Sequence, residues 1–99
     1  MGKLQKPKAI VHRKLGRERA VGIYYPGIGV IQIDPRSHPR TYLNALIHEL
    51  VHHTQPYLDE LAVVQYADLI ALVLWQHGYR LDQSKNKTRL VKNKSRRVK

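Results

Sequence analysis

Two histidines four residues apart, with a glutamate directly after the first, make up the run His48-Glu49-Leu50-Val51-His52. On an α-helix, positions i and i+4 share a face, so both imidazoles can turn a nitrogen toward one ion. Glu49 falls on the adjoining face. It is poorly placed as a ligand there, but it can take a proton from a water on the metal. Metal-assisted hydrolysis needs this arrangement: two neutral imidazoles to hold a divalent cation and a carboxylate to act as base. The plain alternative is an ordinary helix whose histidines face solvent.

A catalytic zinc site takes three protein ligands and leaves the fourth position to water. The chain has no cysteine, so such a site must be built from imidazole and carboxylate. Glu60 stands eight residues past His52. It is the natural third ligand if Thr54-Gln55-Pro56-Tyr57-Leu58 turns the following helix back over the first. Asp59, His53 and His77 compete for the role. Asp59 is more simply an N-cap, His53 is rotated by about 100° from His52, and His77 sits where a cation favours a helix C-terminus. For the donor that must stabilise a tetrahedral oxyanion, Tyr57, Tyr66, Tyr79 and His53 are candidates, and the sequence does not choose among them.

These residues need elements to hold them. From Ala20 to Asp34, β-branched and aromatic residues flank the turn signal Pro26-Gly27, which predicts a β-hairpin with Val30-Ile31-Gln32-Ile33 as its better strand. That strand is also a candidate to hold an extended substrate by edge addition. Asp34-Pro35 ends it, and Ser37-His38-Pro39 reads as a loop. A first helix is expected from Thr41, as N-cap, through His53, with Pro56 beyond its end. A second is expected from the N-cap Asp59 to about Gln76, with Gly78 as its left-handed terminator. Apolar on nearly every face, the second helix is expected to pack centrally, against both hairpin and first helix. The expected class is α+β, a short sheet packed on two helices.

The chain has 99 residues, enough for one domain with a small core that a bound metal would help to hold. Its net charge of +11 is unevenly placed. Residues 1–19 carry seven Lys/Arg against one acid and residues 80–99 carry nine against one, whereas residues 20–79 net to minus three. The expected organisation is a basic flexible arm over 1–19, a folded domain over 20–80, and a basic, disordered tail over 81–99. Such arms bind polyanions through counterion release without base specificity, nucleic acid being the first candidate, or else merely solubilise. No apolar segment follows the basic start as a secretory signal requires, and Leu61–Trp75 is too short and too interrupted to span a bilayer. The expectation is therefore an intracellular, cytoplasmic protein without a membrane anchor, of unspecified oligomeric state.

The run Ile33-Asp34, then Leu46-Ile47-His48-Glu49-Leu50-Val51-His52-His53 and Glu60, resembles the minimal gluzincin domain. Its short spacing is similar to that of small bacterial and phage-encoded proteins related to the SprT-like and ImmA/IrrE-like metallopeptidases, over roughly residues 21–80. The resemblance implies a zincin-like fold, Zn2+ held by His48, His52 and Glu60, Glu49 as general base, and a peptide or protein substrate. Many gluzincins place an aspartate four residues after the glutamate ligand to orient a histidine. Val64 stands there in this chain, and Asp68, one turn further on, serves only if the helices cross suitably. The expected function is thus a zinc-dependent metallopeptidase, brought near nucleic acid by its arms. The alternative is a non-enzymatic basic nucleic-acid-binding module with a structural zinc site.

Overall fold

Alternation of buried and partly exposed side chains makes Val30–Ile33 a strand, and it becomes the centre of a sheet. The computed structural model describes residues 4–81. In it β1 (Ala9–His12), β2 (Gly22–Tyr25) and β3 (Val30–Ile33) form a three-stranded sheet in the order β1-β3-β2. Strand β1 runs parallel to β3, pairing Ile10 with Ile31, and β2 runs antiparallel to it, pairing Tyr24 with Ile31. The hairpin between β2 and β3 turns through Gly29, whose φ of 65° is open to glycine at no steric cost.

Strand β1 lies inside the segment expected to be a flexible arm. The segment is also fastened beyond the strand, because Leu15 is fully buried and its backbone N–H donates to Asp34 Oδ2 at 2.9 Å. Arg36 grips the same carboxylate through Nε at 2.9 Å and Nη2 at 2.6 Å. That guanidinium, helped by the Leu15 and Arg36 backbone N–H groups, holds Asp34 well below the usual carboxylate range against the opposing effect of burial. The boundary expected at residue 20 therefore falls within the folded unit. Lysines and arginines on both sides of Ala9–His12 masked four strand-forming residues whose partner lies about twenty positions away. The expected tail lies outside the described residues, apart from Leu81.

Helix α1 spans Pro39–Thr54, beginning two residues earlier than Thr41. His38 is its N-cap, with Nδ1 accepting from the Arg40 N–H at 3.1 Å, and Pro39 occupies the first helical position, where its missing N–H costs nothing. Helix α2 spans Glu60–Gln76, and Asp59 caps it by accepting from the Ala62 N–H at 2.8 Å. Gly78 follows its end with φ 88°.

It is α1, not α2, that lies at the centre. One side of α1 packs on the sheet, where Tyr42, Leu46 and Leu50 meet the fully buried Ile31 and Ile33. The other side, through Leu43, Ile47 and Val51, meets Val63, Ala67 and Ala71 of α2. Small side chains at these four-residue steps let the two helices approach closely, and each fully buried apolar residue such as Val63 adds about 1.5–3 kcal/mol. Helix α2 touches α1 and none of the strands. Its uniformly apolar composition predicted a central position, yet its outer face is exposed. No helix among the described residues is long and apolar enough to cross a membrane.

Candidate metal centre

Helical geometry sends Glu49 and the two histidines in different directions from α1. His48 and His52 emerge on the flank facing the start of α2, and their rings stand edge to face with centroids 4.9 Å apart. The loop from Gln55 to Asp59 brings the first residue of α2 onto them. Glu60 Oε2 lies 2.9 Å from His48 Nε2, and Oε1 lies 3.0 Å from His52 Nε2. The three side chains offer ligand atoms all within 4.8 Å of one another. Donors on a tetrahedral zinc, each about 2.0–2.1 Å from the ion, stand roughly 3.4 Å apart. Two imidazole nitrogens and one carboxylate at this spacing suit a borderline divalent cation, so the group can hold a metal ion. The histidine side chains are mostly covered, while that of Glu60 is 66% exposed, leaving the centre accessible from water.

Each competitor for the third position has other work. Asp59 is occupied as the α2 N-cap. His53 interacts with the Tyr24 hydroxyl at 3.0 Å through Nδ1 and with the Gln5 carbonyl at 2.8 Å through Nε2. His77 is the C-cap at the far end of α2. Asp68 accepts from Asn44 Nδ2 at 2.9 Å, tying α2 to α1, and orients neither histidine.

Glu49 points to the sheet side of α1 and is 9% exposed. Its side chain lies against Gly22, the first residue of β2, where a Cβ would come within 3.1 Å of Glu49 Cγ. Burial pushes the Glu49 carboxyl above its ordinary value, an effect opposed by the charges of His48 and His52 and reinforced by that of Glu60. A carboxyl so placed is poised to exchange a proton nearer neutrality than an exposed one.

A groove of about 510 Å³ opens beside His48 and Glu49, lined also by Val21, Gly22, His38, Arg40, Thr41, Asn44 and Ala45. Sequence reasoning missed this wall. A glycine opening the strand and an Arg-Thr pair in the first turn of α1 carry no motif, and only packing brings them to the site. None of Tyr57, Tyr66, Tyr79 or His53 is among the lining residues. Nor is β3 free to take up a substrate strand, since β1 and β2 fill both its edges. The edge bordering the groove belongs to β2.

Comparison with protein-family models, with curated proteins and with solved structures finds no match to this chain. The chemistry of the centre rests on its own geometry.

Proposed function

We propose that this protein is a zinc-dependent metallopeptidase of the minimal gluzincin type. The observation that carries the reading is the convergence of His48, His52 and Glu60 from two helices, with a buried carboxylate on the next residue of α1. When bound, Zn2+ would lower the pKa of its water toward about 7 and polarise a carbonyl. Glu49, buried between β2 and α1, takes the proton from the attacking water and hands it to the departing amine. The groove along α1 receives the substrate, and the outer edge of β2 offers backbone groups to pair with an extended peptide. Arg40, Thr41 and Asn44 supply the groove with donors.

The test is metal content and peptide hydrolysis of the purified chain and two variants. The wild type is expected to hold one zinc per chain and to cleave an unstructured protein substrate. Glu49→Gln is expected to keep the metal and lose hydrolysis by about 10²-fold or more. Glu60→Ala is expected to lose the metal; stoichiometric zinc in that variant would show that the third ligand lies elsewhere.

The net charge of +11 favours a second reading, a basic nucleic-acid-binding module with a structural metal. On that reading salt-sensitive DNA or RNA binding survives Glu49→Gln and no substrate is cleaved.

A further inference from the structure

Helix α2 covers α1 with one side and leaves the other bare. Leu61 and Leu69 are 68% and 63% exposed, and Tyr66, Ile70, Leu72 and Val73 are each between 38% and 47% exposed. At about 100° per residue these six positions fall in one arc of roughly 180°, whose remaining side chains are Ala62, Gln65 and Gln76. No charged residue lies in it. A continuous apolar patch of this kind is rare on a soluble monomer.

The distribution of charge says what can cover it. Among the described residues the lysines and arginines lie on or around the sheet, in the loops and at the start of α1, with Arg80 beyond the end of α2 and stacked 3.6 Å from the centre of the Trp75 ring. Helix α2 has no Lys or Arg. Among the described residues, then, the cations lie away from the outer arc of α2, and two such arcs can meet without opposing like charges.

We infer that the outer face of α2 is a homodimer interface, in which two copies pack α2 against α2 about a two-fold axis. Opposing these faces buries the apolar side chains of both copies and directs the described cations outward, where water and salt screen them. The interface leaves the metal centre open. Glu60 and Leu69 are nine residues apart on α2, about 180° around the helix, so the ligand faces away from the middle of the patch. The inference does not depend on the hydrolytic reading.

The test is the molar mass of the full chain by sedimentation equilibrium at roughly 100 µM, where an association of micromolar strength is nearly saturated. The expected mass is twice the 11.5 kDa of one chain. Leu69→Glu, at a site too exposed to be needed for folding, is expected to weaken the dimer at least ten-fold while keeping the helical circular dichroism and zinc content of the wild type. Ile10→Glu, an exposed apolar position on β1 at the other side of the molecule, is expected to leave the dimer intact. A wild-type chain that stays at 11.5 kDa overturns the inference. So does a dimer insensitive to Leu69→Glu together with Val73→Glu, or a monomer that floats with phosphatidylcholine vesicles, which would give the face to a membrane.

Discussion

On the proposed hydrolytic reading Glu49 acts as base only if its carboxylate is held still, and the residue that would allow this is Gly22. Two opposing demands meet at this contact. A general base here would have to be buried enough for its carboxyl to rise above the ordinary value, and still reach the groove that Glu49 lines. Absence of a side chain at Gly22 lets β2 approach α1 closely enough for the first without closing off the second. Gly22→Ala puts a methyl within 3.1 Å of Glu49 Cγ and 3.6 Å of Ala45 Cβ. The carboxylate must then shift by a few tenths of an ångström. The expected result is unchanged zinc content with a turnover number lower by roughly ten-fold, because catalysis is sensitive to small misplacement of a positioned group. Steady-state kinetics beside a metal assay would check it, and unaltered turnover would show that the contact does not position the base.

At the scale of elements, the centre depends on where α2 starts. His48 and His52 share one turn of α1 and come with it, but Glu60 meets them only if the α2 axis begins at residue 60. Asp59 fixes that beginning through its bond to the Ala62 N–H, and the Asn44–Asp68 hydrogen bond fixes the helix against α1 two turns further along. Replacing Asp59 by Ala is expected to cost about 1 kcal/mol of stability through loss of the cap. It should also weaken zinc binding several-fold, since the first turn of α2 frays where Glu60 sits. Urea denaturation and a competitive zinc titration measure the two effects separately. If stability falls while affinity stays unchanged, the helix start is not what places the ligand.

For the whole molecule, a metal bound at this position would be a clasp between two helices in a three-layer arrangement whose cores are small. Only nine apolar side chains among the described residues are buried, five of them on the α2 side of α1, three on its sheet side, and Leu15 outside both clusters. A ligand that binds only the folded chain adds RT ln(1 + [L]/Kd), about 2.7 kcal/mol at a hundredfold excess over Kd. In a domain of this size that is a shift in melting temperature on the order of 10 °C. Removal of the metal by a chelator is expected to lower the wild-type midpoint by that amount, and to leave Glu60→Ala unmoved. Equal midpoints for the wild type with and without chelator, read by thermal circular dichroism, would mean that no metal links α1 to α2.

What the sequence settles by itself is local. The i, i+4 pair of histidines, the carboxylate beside the first, the caps at Asp59 and Gly78, the hairpin turn and the strand at Val30–Ile33 each depend on residues close along the chain, whose geometry is set by helical or extended periodicity. The expected convergence of Glu60 was also within reach, because one short loop separates it from His52. Tertiary structure alone decided the rest. Strand β1 was hidden because parallel pairing joins residues about twenty apart, and the charges beside it look like those of an unstructured arm. Helix α2 took the outside because α1 has apolar residues broad enough around its circumference to be covered on two sides, and a composition apolar all round does not say which neighbour wins that place. Gly22 and the wall of the groove belong to this second class too, since a space beside the Glu49 carboxylate is a property of two elements in contact and of neither sequence read alone.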